Sequence, residues 1–136
     1  MSDCLFCKIL NKEIPNFTIY EDDFVLAFLD IFPHAKGHTV VIPKQHFNTP
    51  FEMDEKYWLN FCVGLKKAQE KVEQILAPSG YNVGWNQKPV GGQVVPHLHV
   101  HIIPRWGNDN GGSIHSVVDN PPKESLEEVK DKIINT

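Results

Sequence analysis

The sequence predicts an α+β fold: a mainly antiparallel five-stranded sheet with one long helix and small terminal helices. Three observations predict it. Short apolar runs succeed one another at hairpin-like distances, one long segment has helical periodicity, and no internal repeat or long linker divides the chain. At 136 residues the chain is one domain, long enough to bury a core without a disulfide framework.

Residues 4–11 read as a short helix with Phe6, Ile9 and Leu10 inward. "FTIYEDD" and "FVLAFLD" are two strands, joined where charge replaces apolar residues between Glu21 and Asp23. "PHAKG" is a turn, and "HTVVIP" is a third strand stopped by Pro43. Phe51 lies in a lead-in turn, and Asp54 N-caps a long helix. In it Trp58, Phe61, Cys62, Leu65, Val72, Ile75 and Leu76 recur at three- and four-residue steps, until Pro78 and Gly80 end the pattern. "YNVGWN" is a fourth strand, "KPVGG" a loop and "HLHVHII" a fifth strand. "GNDNGGS" and "DNPP" break the chain after Trp106, and "ESLEEVKDKIIN" forms a last helix. There Ser125 and Glu128 have capping-box spacing, and Leu126, Val129 and Ile133 share a face. The core is expected at 1–106, with 107–136 as a C-terminal extension packed on the same domain.

A net charge of −4 argues against coating a nucleic-acid backbone, which needs a basic stripe, but leaves room for a small phosphate ligand. No apolar stretch approaches membrane-spanning length, and three cysteines suit a reducing cytosol. A cytoplasmic protein is expected, with neither nucleic acid nor membrane as partner.

The densest chemistry lies in "GGQVVPHLHVHIIPRW". On a strand, His97, His99 and His101 project from one face, while Leu98, Val100 and Ile102 project into a core from the other. Three imidazoles on one face can be a metal cage, a nucleophilic and proton-transfer centre, or a solvated face; a solvated face is usually a mix of Thr, Lys, Glu and Ser. Gly91 and Gly92 permit close backbone approach, Gln93 offers an amide donor, and Asn86 can reach the same region. Together they point to a phosphate site. Asp30, between Phe28 and Ile31, suits the hydroxyls of a ribose, or else caps a turn before Pro33. Cys4 and Cys7 form a C-x-x-C pair, a redox motif or half a zinc site; His46 and one triad histidine are candidates for the other half. Cys62 lies on the apolar helix face, and His34 and His115 lie in loops.

The run His97-Leu98-His99-Val100-His101-Ile102-Ile103 resembles the defining motif of the histidine triad (HIT) superfamily. "CLFCKILNKEIP" and "EDDFVLAFLDIFPHAKGHTVVIPKQH" match further blocks in order, so the likeness covers residues 4 to about 106. The chain looks most like the small bacterial zinc-bearing HIT hydrolases, relatives of the Hint branch. That resemblance implies a HIT-like fold and a homodimer. It implies hydrolysis of nucleoside phosphoramidates or dinucleoside polyphosphates, AMP or GMP derivatives, through a nucleotidyl-histidine. His99 would be the nucleophile. His101 would contact the phosphate with Asn86, Gln93 and the Gly92–Val94 backbone, and His38 would support the site. Asp30 and Ile31 would hold the ribose, and Phe6, Ile9 and Phe28 would line the base pocket. Cys4, Cys7, His46 and His97 would hold a structural zinc, with no open position for substrate. One departure stands out: relatives often carry Ser or Thr after the glutamine, whereas this chain has Val94 and so lacks a hydroxyl for the leaving group. Two other readings compete: a nucleotide sensor or scaffold with incidental catalysis, and a zinc hydrolase with a catalytic metal on the three histidines.

Overall fold

The computed structural model describes residues 3–135. Its elements are α1 (Leu5–Leu10), β1 (Thr18–Glu21), β2 (Val25–Leu29), β3 (Thr39–Pro43), α2 (Glu55–Leu76), β4 (Gly80–Gly84), β5 (Val100–Arg105) and α3 (Leu126–Ile134). The five strands form one sheet in the order β1-β2-β3-β5-β4, and every neighbouring pair is antiparallel. The expected α+β architecture is what the chain adopts.

Register explains the division of labour between the two faces. Phe28 pairs with Val40, Val40 with His101, and His101 with Gly84, so these residues share one face. Ala27, Val41 and Val100 are matched in the same way on the other. Val25, Ala27, Val41, Val100 and Ile102 pack with Leu98 against Phe61 and Ala68 of α2. On the opposite face Leu26, Phe28, Val40 and Ile42 pack against Cys4, Phe6 and Ile9 at and around α1. Because both faces are covered, β2 and β3 read as nearly continuous apolar runs rather than alternating ones.

Asp54 caps α2 by accepting from Tyr57 N–H at 2.7 Å. The buried row of α2 is Phe61, Gly64, Ala68 and Val72, continued by half-buried Leu76. Small residues at its centre let the helix approach closely: a Cβ on Gly64 would lie 2.7 Å from Val25 Cγ2. Ile75, expected inward, stands off this row and is exposed.

Two further expectations need correction. The fifth strand begins at Val100 rather than His97, because a tight turn bonds His97 N–H to Val95 O at 2.8 Å and Leu98 N–H pairs with Phe47 O at 2.6 Å. The C-terminal extension is not packed on the domain. From 107 to 135 every residue is exposed except half-buried Val129, and α3 buries no side chain although its capping box is formed. Only the root of this segment is anchored: Arg105 bonds both carboxylate oxygens of Asp109 and the carbonyl of Gly112. No described helix is long and apolar enough to cross a membrane.

Candidate active site

The triad histidines face three different environments. His97 is fully buried, and its Nε2–H donates to Pro43 O at 3.1 Å. Its unprotonated Nδ1 therefore points at sulfur, 3.4 Å from Cys4 Sγ and 3.6 Å from Cys7 Sγ. His46 is arranged alike: Nε2–H donates to Asn48 Oδ1 at 3.1 Å, and Nδ1 lies 3.2 Å from Cys7 Sγ. The ligand atoms of Cys4, Cys7, His46 and His97 all lie within 4.8 Å of one another. In a tetrahedral zinc site with bonds of about 2.0–2.3 Å, neighbouring ligand atoms stand roughly 3.3–3.8 Å apart, so this donor set fits such an ion. Each imidazole has its outer nitrogen tied to an acceptor, as metal-bound histidines do. Burial and the neighbouring Cys4 push the Cys7 thiol up to about 11, so Cys7 holds its proton unless a cation displaces it. Among the described residues the three triad histidines do not gather round one point, so the catalytic-metal reading lacks its ligand set.

His99 is almost wholly buried, its ring 4.9 Å from that of Phe6. Its Nδ1 lies 2.9 Å from His97 O. A carbonyl can only accept, so Nδ1 carries the proton and Nε2 keeps a lone pair.

His101 belongs to a second cluster. The His34 N–H donates to His38 Nδ1 at 3.1 Å, which leaves the His38 proton on Nε2. That nitrogen is 2.9 Å from His101 Nδ1 and 3.5 Å from Asp30 Oδ2. His101 then carries its own proton on Nε2 and is a donor towards the substrate side. Burial holds His101 at about 4, helped by repulsion from His99 and His38 and opposed by Asp30. Burial likewise lowers His38, with Asp30 opposing. Both rings are neutral near pH 7, which is the condition for this chain of tautomers.

Asp30 caps its turn, Oδ1 accepting from Phe32 N–H at 2.9 Å, while Oδ2 faces His38 at 3.5 Å. A cleft of about 360 Å³ adjoins it, lined by Leu29 and the 33–38 turn. Phe6, Ile9 and Phe28 are buried together beside the triad, and Ile31 is exposed at the rim. Asn86 lies against Gly92, whose φ of +100° disfavours any side chain and where a Cβ would stand 3.3 Å from Asn86 Cγ.

Gln93 departs from its expected part. Its amide donates to Asn48 O at 2.9 Å and Val95 O at 3.1 Å, and its Oε1 accepts from Lys88 N–H at 2.7 Å. Both side-chain protons are spent inside the protein, so this residue braces the loop. The Gly92 and Gln93 amides also donate within the loop, to Pro89 O and Lys88 O. Val94 N–H has no acceptor among the described residues and lies on an exposed residue, open to whatever approaches the loop. The sequence assigns no part to Asn48 or His34: His34 acts through its backbone N–H, and Asn48 through its carbonyl and a side-chain oxygen whose partners, Gln93 and His46, lie far off in the chain.

Residues 11–108 match the HIT domain family model, and the chain belongs to the HIT family. It is 50% identical over 106 residues to a HIT-like protein of Methanocaldococcus jannaschii, covering 78% of this chain and 81% of that one. It is 38% identical over 108 residues to the adenosine 5'-monophosphoramidase hnt1 of Schizosaccharomyces pombe, covering 79% and 78%. The crystal structure of a HIT family member from Bacillus subtilis superposes with a TM-score of 0.85 at 34% identity, covering 98% of this chain and 96% of that one.

Proposed function

We propose that this chain is a nucleotide hydrolase that cleaves at the α-phosphorus of AMP- or GMP-linked phosphoramidates or dinucleoside polyphosphates. The observation that carries the reading is the bond from His99 Nδ1–H to His97 O, which in the neutral ring leaves the lone pair on the other nitrogen for attack. His99 Nε2 attacks phosphorus and the bond to the leaving group breaks, an amine taking a proton from solvent as it departs and a phosphate departing as an anion; the nucleotidyl-imidazole carries a positive charge shared with the His97 carbonyl. Water then attacks the same phosphorus, and His99 departs as a neutral imidazole because Nδ1 has kept its proton. His101 Nε2–H and Val94 N–H donate to the phosphoryl oxygens, a contribution that grows as charge develops on them. A neutral His101 is a hydrogen-bond donor here and too weak an acid to protonate a leaving amine.

The base is assigned to the apolar side at Phe6, Ile9 and Phe28, and the ribose to Asp30 and Ile31. Cys4, Cys7, His46 and His97 would hold a structural zinc, whose chemistry is to tie the N-terminal segment to the catalytic strand. A homodimer is part of the proposal, supported by the apolar residues that α3 leaves exposed, Leu126, Ile133 and Ile134. The test is trapping: the protein is mixed with an adenosine phosphoramidate, quenched and searched by mass spectrometry for adenylylated His99. A sensor would bind tightly with no label, and a His99→Ala variant that turns over at the parental rate would sink the mechanism.

A further inference from the structure

Two parts of the site that are far apart in sequence are joined by a continuous run of hydrogen bonds. From the Cys–His cluster outward, His46 Nε2–H donates to Asn48 Oδ1 at 3.1 Å. The carbonyl of the same Asn48 accepts from Gln93 Nε2 at 2.9 Å. Gln93 in turn receives Lys88 N–H on its Oε1 at 2.7 Å, and its own N–H returns to Lys88 O at 3.2 Å. Lys88 has a φ of +65°, a conformation that a side chain resists unless its surroundings hold it. The pair of bonds to Gln93 is what holds it. Asn48 is itself immobilised, since its N–H donates to Glu52 Oε1 at 2.6 Å. A shift at His46 therefore has a rigid route to the loop that presents Val94 N–H.

We propose that Asn48 is a positioning residue through which an ion on the Cys–His cluster holds the 88–95 loop in its phosphate-facing shape. The inference rests on the nucleotide reading above and deepens it, because it makes affinity at the phosphate site depend on occupancy of the cluster. With an ion on Nδ1 the His46 ring is oriented, and its Nε2–H stays on Asn48. Without one Nδ1 has only the weak Cys7 thiol 3.2 Å away to hold it, and the brace loses its strongest outer support. Linkage is reciprocal, so nucleotide must tighten metal binding by the factor by which metal tightens nucleotide binding.

The experiment uses the full chain, zinc-loaded or stripped with a chelator under reducing conditions. AMP affinity is measured by calorimetry with and without zinc, and zinc affinity by chelator competition with and without AMP. Hydrogen exchange of the 88–95 peptide is followed in the absence of any nucleotide. Zinc is expected to tighten AMP binding by about 5- to 20-fold, AMP to tighten zinc by the same factor, and zinc to slow exchange of the loop. Both couplings are expected to fall below about twofold in Asn48→Ala and in Gln93→Leu, and to return in Asn48→Asp, which keeps an acceptor oxygen. Two different variants guard against one of them failing to fold. AMP affinity indifferent to zinc, coupling that survives in Asn48→Ala, or a parent that takes up no zinc would each overturn the proposal. If AMP binds neither form, the nucleotide reading falls, and the exchange measurement alone decides whether the cluster orders the loop.

Discussion

The carbonyl of His97 accepts the Nδ1 proton of His99 at 2.9 Å, while the His97 ring itself faces Cys4 and Cys7. One residue thus serves His99, the proposed nucleophile, through its backbone and the Cys–His cluster through its side chain, and the two services can be separated by mutation. His97→Ala keeps the carbonyl. It is expected to lose zinc and about 2–4 kcal/mol of stability from the emptied buried site, yet still to form adenylylated His99. His99→Ala is expected to keep its zinc and to lose at least ~10³-fold in kcat/KM. Metal quantification beside single-turnover labelling checks both, and a His97→Ala protein that folds but never labels would contradict this division.

A second prediction concerns acid. His101 titrates at about 4 in the folded chain and His38 lies below its ordinary 6.5, in both cases because burial disfavours the imidazolium. Between pH 6.5 and 4 the unfolded chain binds protons that the folded chain refuses, so stability falls as pH falls through that window. Below about 4 His101 adds no further loss. A fully coupled proton corresponds to about 1.4 kcal/mol per pH unit. Urea unfolding of the parent at pH 7, 5.5 and 4.5 should show the decline, with a shallower slope in His101→Asn; equal slopes would refute it.

Leaving groups provide a third. With Val94 in place of a hydroxyl and His101 a neutral donor, nothing described near the phosphate is built to protonate a departing amine. Val94→Ser is expected to speed release of amines by about 100-fold, the lower end of what a placed proton donor contributes. Release of a phosphate from a dinucleoside polyphosphate should change little, since phosphate departs as an anion. The ratio of the two kcat/KM values is the measurement, and an unchanged ratio would rule the idea out.

The last tests packing. Gly64→Ala removes a helix-interior glycine, which by propensity alone gains about 1 kcal/mol. The added Cβ, however, would meet both methyls of Val25 at 2.7 and 2.8 Å, and Val25 is fully buried. Overpacking of about 1–3 kcal/mol should win, giving a net loss of stability in chemical denaturation with kcat/KM little changed. A more stable Gly64→Ala protein would show that the sheet yields more readily than its packing implies.

Much of this was legible in the residues. Alternation across 97–103 placed Leu98, Val100 and Ile102 in the core, and Asp54, Ser125 and Glu128 announced their caps. What stayed hidden depended on the third dimension. Ile75 has the right periodicity, but Leu76 continues the buried row beyond Val72. Gln93 has the chemistry of a phosphate donor, and only its bonds to Asn48 and Val95 show that its protons are taken. Asp30 caps its turn as one of its two readings had it, while its second oxygen faces His38, a partner that composition could not name.

The Arg105–Asp109 clamp also sets a geometric limit on the tail. Beyond Gly112, the last residue that Arg105 holds, twelve residues lead to the Ser125 cap, a leash of at most roughly 40–43 Å when fully stretched. Whatever surface receives the greasy side of that last helix must lie inside this radius. Within it, tethering keeps the helix at an effective concentration near the millimolar range, so even a feeble contact would be occupied most of the time.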